Sequence, residues 1–160
     1  DYVSTLTYAQ VANATSVVGE MNNEASIAAI EAGQTFFSVD DEGNVILEYD
    51  INSRVHIDSE TPQDIKKNRP LRVYDTFAND LLITFRPGKF DNDDDGWAVV
   101  EGLGRSMLQN YADDGALTNV NLDEDFLVDT GRSIGDSMYL NVGLQAVDSA
   151  DKFYFSIIAR

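Results

Sequence analysis

The residues most able to do chemistry in this sequence form an acidic run over positions 91–96. Its carboxylates Asp91, Asp93 and Asp95 take the first, third and fifth places of an EF-hand calcium loop, and a glycine takes the sixth. That loop also needs a bidentate acid at its twelfth place, which here is Gly102. We therefore predict that the run holds no metal and instead caps a helix, where carboxylates interact well with free N–H groups.

Patterns typical of catalysis are weak in this chain. The sequence has one histidine, His56, which stands near Asp58 and Glu60, and we interpret it as a surface residue. The paired carboxylates Asp113 and Asp114 could serve a glycosidase, but with 28 acidic residues such pairs arise by chance, and these two lie in a turn signal. We find no nucleophile elbow and no phosphate-binding glycine loop. The sequence predicts no enzyme and no cofactor, with an acid-dependent hydrolase as a rival hypothesis.

The overall charge limits the classes of partner. The chain has 160 residues and a net charge of −17, which argues against nucleic-acid binding because that requires a basic face. It lacks cysteine, which excludes disulfides and thiolate metal sites. It also lacks an apolar run of the length needed to cross a bilayer, so we predict no membrane insertion. The length and the 43% hydrophobic content fit a globular domain with a real core.

The basic residues are unevenly distributed. Six of the eleven lie between positions 66 and 89, namely Lys66, Lys67, Arg69, Arg72, Arg86 and Lys89. A solvated basic stretch is the simplest interpretation. However, cations at the start of a helix oppose its macrodipole, and a negatively charged partner would offset that cost.

The helices and strands that the sequence predicts indicate an α+β fold. Asn22 or Asn23 is expected to cap a helix over 24–32, which Gly33 would end in the left-handed conformation. A hairpin is expected to follow, with strands over 34–40 and 44–50.

Two longer helices follow a polar connecting stretch. One begins near Pro70 and carries an apolar stripe at Val73, Phe77, Leu81 and Phe85. The other runs over 93–112, with an apolar face made of Trp97, Val100, Leu103, Met107 and Tyr111. Gly102 and Gly104 would each weaken this helix by roughly 1 kcal/mol relative to alanine. We interpret them as a sign that another backbone passes close by.

The residue pattern in the last part of the chain predicts two strands. Apolar residues alternate over 138–146, a turn follows over 147–151, and an aromatic, β-branched segment occupies 152–158. This terminal strand either closes the sheet of its own domain or is lent to another subunit as an added strand. The residues that would make the inter-subunit strand are Phe153, Tyr154, Phe155, Ile157 and Ile158.

Three stretches of the sequence resemble the sheath proteins of contractile tails. Residues 144–154, Leu-Gln-Ala-Val-Asp-Ser-Ala-Asp-Lys-Phe-Tyr, are similar to the ending of those proteins. Residues 68–80, which open Asn-Arg-Pro-Leu-Arg-Val-Tyr-Asp, are similar to a helix start in the family. Residues 88–96, Gly-Lys-Phe-Asp-Asn-Asp-Asp-Asp-Gly, resemble the element that opens its next helix. Such sheaths occur in myophages, defective prophages and phage-tail-like bacteriocins.

The resemblance implies a structural protein. It implies a subunit of a six-fold helical sheath, assembled in the bacterial cytoplasm, that surrounds a tail tube and contracts without a nucleotide or cofactor. The implied partners are other sheath subunits, the tube protein, which the 66–89 basic residues would contact, and the baseplate and tail terminator at the ends. Sheath subunits of this family are longer, so we expect this chain to be the C-terminal part of one. Residues 1–67 would form a helix-hairpin and connecting segment, and residues 68–160 the sheath C-terminal core. An acidic, calcium-stabilised binding module stays as the alternative.

Overall fold

The computed structural model describes residues 1–56 and 63–158 of the chain. Their α+β fold contains three α-helices, one short 3-10 helix and two antiparallel sheets of two strands each. In chain order the elements are α1 (Asn23–Glu31), β1 (Phe37–Val39), β2 (Val45–Leu47), the 3-10 helix (Gln63–Lys66), α2 (Asn68–Thr84), α3 (Asp94–Asp113), β3 (Phe126–Val128) and β4 (Leu140–Val142).

The described residues form two compact units. The helical unit comprises Asp1–Val3 and Pro70–Val147, and the hairpin unit comprises Ser4–Arg69 and Asp148–Arg160. No helix within the described ranges is both long enough and apolar enough to span a membrane.

In the hairpin unit, the predicted helix is confirmed, and the predicted hairpin forms with strands shorter than the expected 34–40 and 44–50. The Asn22 side chain caps α1 by accepting a hydrogen bond of 2.8 Å from the Ala25 amide, and Gly33 follows the helix with a φ of +71°. Strand β1 pairs with β2 so that Ser38 lies opposite Ile46. The free edge of β2 is filled by the N-terminal segment, since the amides of Tyr8 and Val11 both donate to β2 carbonyls at 2.8 Å.

Asp50 ties the hairpin unit together at the end of the hairpin. Its buried carboxylate accepts hydrogen bonds of 2.9 Å from the Leu6 amide and from the Asn68 side chain. The Asn68 side chain also donates to the Ile51 carbonyl at 3.0 Å. The start of α2 is therefore fixed by side chains that lie far away along the sequence.

The apolar stripe predicted for α2 forms part of the core of the helical unit. Val73 and Phe77 are fully buried, and Leu81 and Phe85 are partly buried against the same core. The Phe77 ring meets the Tyr111 ring edge-on with centroids 5.0 Å apart, which is a favoured aromatic geometry. The stripe therefore fixes which face of α2 points inward.

The face predicted for α3 is partly wrong. Val100 and Tyr111 are buried as expected, but Leu103 is exposed, and the inward face contains Gly104 and Leu108 instead. Gly104 is needed because a Cβ there would stand 2.1 Å from the Phe126 ring. The close neighbour is thus a side chain and not a backbone. At Gly102 no described residue outside its own helical turns lies within 4 Å of the place a Cβ would take.

The strands of the helical unit are shorter than the pattern suggested. The strand predicted over 138–146 is regular only over Leu140–Val142, and it pairs with β3, which sequence reasoning missed. The Leu117–Ala146 bridge extends the same antiparallel arrangement. The prediction of a strand over 152–158 is wrong for this single chain, because its residues up to 158 have no regular secondary structure and no strand beside them.

Candidate assembly surfaces

A cluster of charged groups in the hairpin unit fixes residues 148–151, which form the root of the C-terminal segment. The Lys67 ammonium lies 3.0 Å from an Asp148 carboxylate oxygen and 2.8 Å from an Asp151 carboxylate oxygen. It also donates a hydrogen bond of 3.1 Å to the Ser149 carbonyl. The Asp151 side chain is only 6% exposed. We call Lys67 with Asp148, Ser149 and Asp151 the tail clamp.

The tail clamp keeps Lys67 charged. Burial disfavours the ammonium, but its hydrogen bonds to Asp151 and Asp148 more than offset that, so the pKa of Lys67 is raised above its ordinary value. Two carboxylates and one backbone carbonyl thus surround the ammonium. The clamp is therefore an intact ionic contact at neutral pH.

The residues just before the clamp are held in the helical unit. The Val147 amide donates to the Ala116 carbonyl at 2.8 Å, and the Thr118 amide donates to the Gln145 carbonyl at 2.9 Å. The Ala146 amide donates to the Tyr74 hydroxyl at 3.2 Å. Residues 145–149 and Asp151 of the terminal motif thus have defined partners.

Beyond the clamp the chain is apolar and exposed. Tyr154 is 90% exposed and Ile157 is 94% exposed. The sequence-predicted inter-subunit residues all share this exposure, and they are Phe153, Tyr154, Phe155, Ile157 and Ile158. So many large apolar side chains in one short exposed segment are typical of a surface that binds another protein. We call residues 152–158 the exposed tail.

The six basic residues predicted to contact a tube have different surroundings. Lys67 belongs to the tail clamp, and Lys66, Arg69 and Arg72 are half-buried. Arg86 and Lys89 are exposed beyond the C-terminal end of α2, where Lys89 donates to the Thr84 carbonyl at 3.2 Å. Arg72 and Arg86 are about 20 Å apart along the helix direction. The tube contact stays a prediction, and Arg86 and Lys89 are its most accessible members.

The acidic run caps α3. The Asp93 carboxylate accepts a hydrogen bond of 2.8 Å from the Gly96 amide, and Asp94 and Asp95 occupy the first turn. Gly96 is required because a Cβ there would stand 2.0 Å from the Asp91 carbonyl oxygen. Within the described parts of the chain, no group of three or more potential ligands could hold a metal ion.

The other residues considered for chemistry have structural contacts. The Asp114 carboxylate accepts a hydrogen bond of 2.6 Å from the Tyr2 hydroxyl, which raises the pKa of Tyr2 to about 12. The Asp113 carboxylate accepts one of 2.7 Å from the side-chain carboxamide of Gln109. His56 is exposed, and the neighbours named for it, Asp58 and Glu60, lie outside the described residues. The carboxylates of Asp113 and Asp114 thus accept hydrogen bonds from two different partners among the described residues.

The family model of the phage tail sheath C-terminal domain matches residues 60–160 of this chain. This chain belongs to the phage tail sheath family. It is 28% identical to the phage-like element PBSX protein XkdK of Bacillus subtilis strain 168, over 95% of this chain and 34% of the relative. It is 26% identical to the YqbK protein of the same strain, again over 95% of this chain and 34% of the relative. The chain thus spans about a third of the length of the curated relatives it matches.

Solved sheath structures share the fold. The sheath tail protein of Desulfitobacterium hafniense superposes with a TM-score of 0.82 at 25% identity, covering 94% of this chain and 35% of that one. The anti-feeding prophage helical sheath in its contracted state gives a TM-score of 0.80 at 16% identity, covering 98% of this chain and 45% of that one. The sequence-based assignment to contractile-tail sheath proteins is therefore confirmed.

The Asn92 side chain, in the 88–96 stretch that resembles the family, links the start of α3 to residues 135 and 137 of this sheath domain. The Asn92 carboxamide accepts from the Trp97 indole at 2.7 Å and donates to the carbonyls of Gly135 and Ser137 at 3.1 Å. Sequence reasoning missed this role, as it missed the pairing of Lys67 with Asp151. Both involve partners far along the chain, and a single sequence carries no signal for such pairs.

Proposed function

We propose that this sheath-family chain is a structural subunit of a contractile tail sheath, which surrounds a tail tube and shortens to drive it through a cell envelope. The proposal extends the family assignment of one domain to the whole particle. The sheath would be built from copies of the subunit in six-fold helical rings. The tube protein, the baseplate and a tail terminator would be its other partners, and no catalytic step would be required.

The observation that carries this proposal is that the exposed tail directly follows residues that the tail clamp holds in place. The tail clamp fixes residues 148–151, whereas Tyr154 and Ile157 are almost fully exposed. An extended segment of this composition binds by adding a strand to the sheet edge of a neighbour, because main-chain hydrogen bonds give affinity and side-chain pockets give specificity. A contact of this kind would keep subunits connected while their packing changes.

The contact with the tube would be ionic. Arg86 and Lys89 offer exposed positive charge on an otherwise acidic chain of net charge −17. An exposed ionic contact is weakened by salt and is modest in strength, so a sheath could release the tube as it contracts.

The particle would be a phage tail or a phage-tail-like assembly made in the bacterial cytoplasm. The match to a Bacillus subtilis phage-like element protein supports this setting.

Deleting residues 153–160 tests the proposed role of the exposed tail. We expect the far-ultraviolet circular dichroism and the melting temperature to stay close to those of the intact chain, because residues 153–158 are exposed. Assembly of the complete polypeptide should be lost. Unfolding of the truncated chain would instead place the tail in the core, and unimpaired assembly would remove it from the subunit contacts.

A further inference from the structure

Two apolar helix faces of the helical unit are exposed in a single chain. On α2, Leu82 is 75% exposed and its neighbour Ile83 is also exposed. On α3, Val99 is 54% exposed, and Leu103, one helical turn later, is exposed as well. Leu82 and Ile83 are consecutive and so form a broad patch about 100° wide, whereas Val99 and Leu103 lie along one face. Single exposed apolar side chains are ordinary, but two within one turn on each of two helices indicate surfaces that another element covers.

Gly102 marks the α3 face as a place of close approach. A glycine inside a helix costs about 1 kcal/mol relative to alanine. Among the described residues outside its own helical turns, nothing lies within 4 Å of a Cβ built at Gly102, in contrast to Gly104 against Phe126, so the described part of the fold does not require this glycine. A glycine between two exposed apolar residues leaves room for the side chains of a second helix.

The charges beside the two faces are complementary. Arg86 follows Ile83 by three residues and is exposed, and its side chain forms no ion pair with the described residues. Asp95 precedes Val99 by four residues and is also exposed. Arg86 lies just beyond the C-terminal end of α2 at Thr84, and Asp95 lies in the first turn of α3, about 6 Å along the axis from Val99. When two helices pack antiparallel, the C-terminal end of one lies beside the N-terminal end of the other, so both charges can meet when the apolar residues meet.

We propose that α2 of one copy packs antiparallel against α3 of a second copy. Leu82 and Ile83 then cover Val99, Gly102 and Leu103, and Arg86 lies opposite Asp95. Arg86 is then taken up between subunits, and the exposed Lys89 is left for the tube contact. A parallel arrangement would carry Arg86 away from Asp95, toward the C-terminal part of α3. The contact joins two different faces, so it repeats from copy to copy and builds rings or helices and not a closed pair. This inference rests on the proposed function and names one contact between its subunits.

A charge exchange tests the ionic part of the contact. Arg86→Glu and Asp95→Lys should each raise the protein concentration needed for assembly about tenfold, as expected for loss or reversal of one ion pair. The double variant should restore assembly. Glu24→Lys is the matched control, because Glu24 is an exposed first-turn acid on α1. Failure of the double variant to recover would overturn the proposal and indicate that these charges face another partner, such as the tube.

Cysteine cross-linking tests the apolar part independently of assembly. The chain has no cysteine of its own, so Ile83→Cys and Val99→Cys can be placed on separate copies and mixed under oxidising conditions. We expect a disulfide-linked dimer at several times the yield of a control pair of Ile27→Cys with Val99→Cys, since Ile27 is exposed on α1. Equal yields would overturn the contact. If tubes still form in that case, the sheath function stands and only this interface is wrong.

Discussion

The ammonium of Lys67 lies 2.8 Å from the carboxylate of Asp151, and this ion pair fixes the point at which the C-terminal segment leaves the fold. Lys67 precedes α2 directly, and Asp151 precedes the exposed tail by one residue. The pair therefore fixes the start of the exposed tail to the hairpin unit. Force carried by the tail between subunits would therefore act on the body of the hairpin unit.

Lys67→Met should release the tail root. Removing the cation leaves the almost buried Asp151 carboxylate without its ionic partner, so we expect a loss of unfolding free energy on the order of 2 kcal/mol, between the values for exposed and buried pairs. Amide relaxation by nuclear magnetic resonance should show faster motion at residues 148–151. Lys152→Met, at an exposed neighbour, is the control and should leave that motion unchanged. Unaltered relaxation in the Lys67 variant would mean that backbone contacts alone hold the root.

The tail clamp should be lost only at strongly alkaline pH. Because the folded pKa of Lys67 is raised above 10.5, its contribution to stability is fully present below the unfolded pKa and disappears as pH rises through the folded value. We expect the relaxation of residues 148–151 to be constant from neutral pH to about pH 10 and to increase beyond it. Release of the root already near pH 8 would contradict this description of the clamp.

Gly104 should tolerate no side chain. A methyl group there would overlap the Phe126 ring, so Gly104→Ala should destabilise the chain by about 1–3 kcal/mol, the usual cost of overpacking a core. Gly102→Ala is the matched control in the same helix, and it should stabilise the isolated chain by up to about 1 kcal/mol because that position is open. Urea unfolding monitored by circular dichroism measures both values. Similar effects of the two substitutions would show that the Phe126 contact does not decide the tolerance.

Asp93→Ala should remove a helix cap, and calcium should not change the thermal stability of the unaltered chain. The carboxylate holds the Gly96 amide at 2.8 Å, so its loss should cost about 1 kcal/mol of unfolding free energy. Asp91→Ala is the comparison, because only the backbone carbonyl of Asp91 approaches Gly96. Thermal unfolding with calcium and with EDTA should give the same midpoint for the unaltered chain. A calcium-dependent rise in that midpoint would restore the binding-module alternative.

Local signals in the sequence located the helices well. The predicted helix over 93–112 corresponds to α3 at Asp94–Asp113, and the one over 24–32 corresponds to α1 at Asn23–Glu31. Caps and apolar stripes act within a few residues, so they can be read without knowledge of the fold. The same holds for the acidic run, whose capping role follows from its place before an apolar stripe.

Features that depend on residues far apart in the chain could not be predicted from the sequence. Strand β3 spans only Phe126–Val128 and is defined by its pairing with β4 and by the Phe126 ring against Gly104. Residues 152–158 have strong β-propensity, yet a strand forms only where a partner supplies hydrogen bonds. From the sequence, Lys67 belongs with the basic residues beside it, because no residue near it in the chain indicates an ion pair with Asp148 or Asp151.

The most direct test of the sheath function is negative-stain electron microscopy of the complete polypeptide that carries this chain, purified alone. The sheath account predicts hollow tubes with a regular helical repeat, and it predicts their absence when residues 153–160 are removed. Single particles of uniform monomer size at high protein concentration, with or without calcium, would contradict it.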